Sequence, residues 1–92
     1  MVTVELTQHL YQFFPDLRHR RLVVKAATVA DVVKEVDKLA PGLAFYLCDE
    51  RGRLRQHVNI FVQDEMLTDR VHLTDRVDPN GRVLIVQALS GG

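Results

Sequence analysis

Hydrophobic and polar positions alternate from the first residues. Val2, Val4 and Leu6 are separated by Thr3 and Glu5, a period of two that predicts a strand with one buried face. From Thr7 to Arg20 the apolar residues Leu10, Tyr11, Phe13 and Phe14 follow no clean period, and Pro15-Asp16 signals a turn. A loop with some residues tucked into the core is expected there. Leu22, Val23, Val24 and Ala26 suggest a second strand. Thr28 opens the clearest element: it is a good N-cap, and Asp31 follows at the capping-box spacing. Val29, Val32, Val33, Val36 and Leu39 then recur at helical spacing, with Asp31, Lys34, Glu35, Asp37 and Lys38 on the other face. Valine is a mediocre helix former, so packing must hold this helix. Pro41-Gly42 stops it.

The segment from Phe45 to Leu54 reads as a hairpin with Asp49-Glu50-Arg51-Gly52 as its turn. Val58-Asn59-Ile60-Phe61-Val62 is a strong strand, turned by Gln63-Asp64-Glu65. Met66 to Asp78 is irregular, with Val71, Leu73 and Val77 as expected core contacts. Asp78-Pro79-Asn80-Gly81 predicts a tight turn in which the glycine takes a positive φ. Arg82 to Val86 is the last strand. The order predicts an α+β domain over 1–88, a mixed sheet with one main helix of about three turns on one face. Residues 89–92 are expected to form a flexible tail.

Composition narrows the function. With 92 residues, 47% of them apolar and 26% charged, the chain can bury one compact core and is not of disordered type. Twelve basic residues balance twelve acidic ones, so no global field draws it to nucleic acid or to a membrane. No apolar run is long enough to span a bilayer, and the N-terminus lacks a secretory pattern, so the cytoplasm is the expected address. The one cysteine, Cys48, can form neither an internal disulfide nor a multi-thiolate metal site, and reads as a small residue filling a strand. The four histidines show no metal-ligand spacing, and nothing places Ser, His and Asp or Cys and His together. No intrinsic catalytic site, bound cofactor or metal is expected. Arg18-His19-Arg20-Arg21 reads as a solvated basic loop.

The last residues carry the chemistry. Glycine adds nothing to a core, but its lack of bulk suits a chain that must thread into a narrow site in another protein. From Gln87 the tail reaches about 20 Å when extended. A terminal carboxylate at Gly92, with a pKa of about 3.3–3.7, is ionised at neutral pH and is a poor electrophile. It must be activated, for instance as a mixed anhydride with AMP, and no residue here looks able to do that. A partner enzyme is implied.

The element order and Gly91-Gly92 resemble the β-grasp fold of ubiquitin. Asp49-Glu50-Arg51-Gly52-Arg53-Leu54 and His57-Val58-Asn59-Ile60-Phe61-Val62-Gln63-Asp64-Glu65 resemble the sulfur-carrier family. That family includes the small subunit of molybdopterin synthase and the thiamine sulfur carrier. The likeness is nearest to the longer actinobacterial carriers paired with a cysteine synthase. The resemblance implies that a ubiquitin-activating-type enzyme, using ATP, adenylates Gly92. The glycine is then converted to a thiocarboxylate that donates sulfur, with Gly91 as the slender approach. The implied partners are that enzyme and a sulfur acceptor of cysteine synthase, molybdopterin or thiazole synthase type. The chain departs from the family in two places: Gln87-Ala88-Leu89-Ser90 replaces a proline followed by Val-Ala, and Gln63 replaces an asparagine. Both bear on the identity of the partner.

Ubiquitin-like domains dock through apolar residues on the outer sheet face. Strand alternation points Val83 and Ile85 inward and Leu84 and Val86 outward, with Phe61 beside them, while Leu89 and Ser90 lie past the strand as further partner contacts. Two other functions fit the same residues. A ubiquitin-like modifier would join Gly92 to lysines, and a β-grasp binding domain, for example one contacting RNA, would carry an incidental Gly-Gly.

Overall fold

The computed structural model describes residues 1–18 and 20–87. The elements are β1 (Val2–Leu6), α1 (Gln8–Phe13), a 3-10 turn (Pro15–Leu17), β2 (Leu22–Val24), α2 (Val29–Leu39), α3 (Leu43–Leu47), β3 (Val58–Val62), β4 (Glu65–Met66) and β5 (Arg82–Gln87). The strands form one mixed sheet in the order β2-β1-β5-β3-β4. At its centre β1 and β5 pair in parallel, Val4 against Val83 and Leu6 against Ile85. The remaining pairings are antiparallel. A parallel pair needs a long crossover, and here it holds α2. The valines of α2 (Val29, Val32, Val33 and Val36) pack into one core with Val2, Val4, Leu6, Ile60, Val83 and Ile85.

The N-terminus of α2 accounts for every early amide. Val29 N–H donates to the Asp75 carbonyl at 3.0 Å and Ala30 N–H to the Leu73 carbonyl at 2.9 Å. Asp31 N–H donates to Thr28 Oγ1 at 3.3 Å, so Thr28 is the N-cap the sequence predicts. The Asp31 carboxylate reaches back to the Ala27 amide at 3.2 Å, one residue further than a capping box requires. The irregular segment after β4 therefore supplies the first turn of the main helix with partners that local sequence does not reveal.

That segment is organised by two carboxylates. Asp75 accepts from the Thr68 amide and hydroxyl, both at 2.9 Å, and from the Asp69 amide at 2.8 Å. Asp69 accepts from the amides of His72, Val71 and Thr74 and from the Thr74 hydroxyl. These donors, the His72 amide foremost, hold the Asp69 carboxyl well below the ordinary carboxylate range. The Thr68 amide, first among its donors, lowers Asp75 in the same direction.

Several expectations change. The segment expected to be a loop after β1 holds α1 and the 3-10 turn, though Leu10 and Leu17 are tucked into the core as anticipated. The hairpin expected from Phe45 is half replaced by α3. Leu43 and Leu47 are buried while Phe45 is 70% exposed, a spacing of four that fits a helix and not a strand. Asp37 Oδ1 accepts from the Gly42 and Ala44 amides at 3.1 and 2.9 Å and fixes the start of α3, where Gly42 has φ +102°. The Asp49–Gly52 turn remains, closing a single Cys48–Leu54 bridge, so Cys48 caps a helix instead of filling a strand. Val71 and Leu39 are exposed, and Leu67 takes a core place beside Leu73 and Val77.

Gly81 does not take a positive φ. Its Cβ would stand 3.1 Å from the Asp78 carbonyl and 3.3 Å from Gln63 Oε1, so close approach and not φ favours glycine here. The positive angles fall instead on Gln63 and Asp64, φ +52° and +72°, the two-residue loop between β3 and β4. Gln63 Oε1 accepts from the Arg82 amide at 2.7 Å, a bond that holds this residue in its unusual conformation.

A carboxyl whose pKa is lowered by folding stabilises the fold above its unfolded pKa, and that contribution fades as pH falls toward the folded value. The melting temperature should fall as pH drops below about 4. Asp69→Asn should be less stable at neutral pH and show a flatter melting profile through that acid range. Parallel profiles for the two proteins would contradict this role for Asp69.

Candidate functional site

Burial along β5 fixes which face each side chain takes. Val83 and Ile85 are fully buried, while Leu84 and Val86 are half-buried on the outer face. The register sets Phe61 directly opposite Leu84, and Asn59 opposite Val86. Phe61 also faces Met66 across the β3–β4 hairpin. One row therefore crosses the outer sheet face from Glu5 through Leu84 and Phe61 to Met66. Phe61, Leu84 and Val86 do share a surface. Met66, 55% exposed, belongs to it and was missed by sequence reasoning. Its signal was the alternation across a two-residue loop: Phe61 and Met66 are paired by that loop, so they share a face.

The rim of this surface is polar. Arg82 bridges both oxygens of Glu5 at 3.3 Å, and all of these groups are well exposed, so the pair adds little stability and mainly orients the two side chains. Gln63 and Asp64 close one side of the hollow that Phe61 and Leu84 floor.

The second part of the site is the point where β5 ends. Gln87 pairs with Val58, its amide donates to Thr7 Oγ1 at 3.3 Å, and Thr7 N–H donates to the Ile85 carbonyl at 3.1 Å. Gln87 Oε1 is buried with no hydrogen-bond partner among the described residues. On the far side Arg70 clamps the start of β3: its guanidinium donates to the carbonyls of Arg55 at 2.7 Å and Val58 at 2.9 Å. Nothing in the sequence pattern singles out Arg70, because its partners, two backbone carbonyls and Asn59 Oδ1, are brought near only by the fold. Leu89, Ser90, Gly91 and Gly92 lie outside the described residues, as does His19 of the basic loop.

Cys48 is buried, and burial pushes its thiol pKa up, away from a reactive thiolate. Among the described residues no group of His, Cys, Asp and Glu could hold a metal ion. No helix among them is long and apolar enough to cross a membrane.

Residues 4–92 match the ThiS family. No curated protein matches the chain at a significant level. Among solved structures, a chain of the Amycolatopsis orientalis BexX/CysO complex is similar over 100% of both chains, with 24% identity and a TM-score of 0.82. Mycobacterium tuberculosis CysO is similar over 97% of this chain and 100% of its own, with 23% identity and a TM-score of 0.81. The small archaeal modifier protein 1 of Methanosarcina acetivorans is similar over 99% and 95%, with 18% identity and a TM-score of 0.77. These likenesses show a shared β-grasp, ubiquitin-like fold.

The Thr7 hydroxyl anchors the last described amide and caps no helix amide, so its loss should act locally. Thr7→Ala should speed hydrogen exchange at the Gln87 amide about fivefold, the effect of losing about 1 kcal/mol, while Thr7→Ser should restore protection. Equal exchange in all three proteins would remove this anchor from the site.

Proposed function

The chain belongs to the ThiS family, the ubiquitin-like sulfur carriers, and on that premise we propose that Gly92 is the group on which it carries sulfur. The observation that carries this reading is a family match that runs through Gly91 and Gly92. In this reading an activating enzyme binds the carrier and ATP. A carboxylate oxygen of Gly92 attacks the α-phosphorus, pyrophosphate leaves, and an acyl adenylate remains. A sulfur nucleophile then displaces AMP, leaving a thiocarboxylate. The thiocarboxylate sulfur attacks an electrophilic carbon held by an acceptor enzyme, displacing the leaving group there. Hydrolysis of the resulting thioester breaks the Gly92 acyl–sulfur bond, leaving sulfur on the acceptor and restoring the Gly92 carboxylate. The chain supplies no acid, base or cofactor to these steps, and ATP belongs to the activating enzyme.

The carrier's own work is presentation. Gly91 and Gly92 have no side chains to obstruct a narrow channel. Leu89 and Ser90 are further partner contacts in this reading, and Phe61, Leu84 and Val86 offer an apolar footing. Exposed apolar surface rimmed by polar groups is the usual form of a protein docking surface. The Amycolatopsis complex pairs CysO with BexX, which supports a stable acceptor partner for a carrier of this fold. The acceptor class in this reading is an enzyme of cysteine synthase, molybdopterin or thiazole synthase type. Likeness to the small archaeal modifier proteins supports a second reading, transfer of Gly92 to lysine amines.

Adding one residue after Gly92, or deleting Gly91-Gly92, should abolish adenylation completely while leaving the melting temperature unchanged. Intact-mass measurement of the protein from its own cells should show one oxygen of Gly92 replaced by sulfur. Isopeptide-linked ladders would favour the modifier reading. Full activity of the extended chain would defeat both.

A further inference from the structure

We propose that the end of the sheet at which β5 finishes is a second partner surface, whose exposed arginines and braced aromatic fit the acidic lip of the channel that receives Gly92. This rests on the carrier reading above, and it concerns residues outside the outer sheet face.

Strand directions bring the surface together. β1 and β5 run parallel and β2 and β3 run against them, so Leu6, Gln87 and the entries to β2 and β3 share one end of the sheet. Arg20 and Arg21 directly precede Leu22, the first residue of β2, which pairs with Val4, so they enter the sheet at this end. Arg18, Arg20 and Arg21 are exposed, and none joins an ion pair among the described residues. α1 begins at the same end, directly after Thr7.

Phe13, at the end of α1, is 55% exposed yet held by its neighbours. Its ring centroid lies 5.0 Å from that of Tyr46 on α3, and His9 stands edge-on to it at 5.6 Å. Tyr46 is braced in turn by Phe14 at 5.8 Å. The Arg55 amide donates to the Leu47 carbonyl at 2.9 Å and the Val58 amide to the Arg55 carbonyl at 3.0 Å, which sets α3, and with it Tyr46 and Phe13, at the entry to β3. An exposed aromatic and arginines are the residue types of an interface hot spot, and a braced ring loses little ordering entropy on contact.

Reach makes this end face the partner. Gly92 is five residues beyond Gln87, so its carboxylate can lie at most about 20 Å from Gln87. Any enzyme acting on Gly92 must bring its channel mouth within that distance. The chemistry of the mouth follows from charge. Unpaired arginines in a chain of zero net charge make a local positive field, which steers an acidic protein rim at short range. That same zero net charge gives no long-range attraction to a nucleic-acid polyanion.

The test is adenylation kinetics with the host's activating enzyme, varying the carrier concentration. The double variant Arg20→Glu/Arg21→Glu should raise the KM for the carrier about tenfold at low salt with kcat unchanged. The difference should close at about 0.5 M salt, where charges are screened within a few ångströms. Phe13→Ser should raise KM regardless of salt. Lys34→Glu, an exposed change on α2, should leave KM unchanged, and thermal melts should show all variants folded. A wild-type KM for the double variant at low salt would overturn the proposal, as would an equal effect from Lys34→Glu. RNA binding by the wild type that the double variant loses would assign the arginines to nucleic acid and overturn it too. A wild-type chain that no activating enzyme adenylates removes the carrier reading itself, a different result from adenylation that ignores these residues.

Discussion

The parallel pairing of β1 with β5 is the constraint on which the rest of the structure depends. It joins residues near the two ends of the chain, Thr3 with Arg82 and Leu6 with Ile85, at the centre of the sheet. Every other element must fit into the connection between those strands or onto their free edges. The valine face of α2 packs under this pair, and the Asp69–Asp75 loop holds the helix start in place. The same pairing aims the end of β5 past Thr7 and out of the sheet. The last described residue, Gln87, is thus held at the end of the central strand of the sheet.

Two kinds of structure were legible in the sequence. Strong periodicity gave β1, α2, β3 and β5, and the alternation in β5 put Leu84 and Val86 outward with Phe61 beside them. Thr28 announced its helix by chemistry as well as position. Short apolar runs were not legible. Leu43 to Leu47 satisfies a strand pattern as readily as a helix, and only the Asp37 carboxylate, bonded to the Gly42 and Ala44 amides, decides between them. Features made by distant backbone were hidden as well. Arg70 works through carbonyls fifteen and twelve residues away. Gln63 tolerates its left-handed backbone with the help of an amide nineteen residues on. The glycine at 81 was right for a turn but for a different reason, since crowding by Asp78 and Gln63 and not its φ excludes a side chain.

The division of labour between surfaces follows from the fold. One face of the sheet is committed to α2 and the core. The opposite face offers Phe61, Leu84, Val86 and Met66, and the end of the sheet offers Phe13, Tyr46 and the arginines of the α1–β2 connection. Edge strands are kept short, with three residues in β2 and two in β4, which limits open backbone where strangers could pair. Contact with partners is thereby left to side chains, where shape and charge can discriminate.

The order of synthesis gives the central pairing a further meaning. β1 leaves the ribosome early and waits for β5, which completes the sheet only when residues 82–87 emerge. Contacts so distant in sequence form late and slowly, because a long loop must close before they stabilise anything. A chain cut short before β5 lacks its central strand and has no folded domain to present. Whatever recognises the folded surface therefore meets only chains whose last strand is already in place.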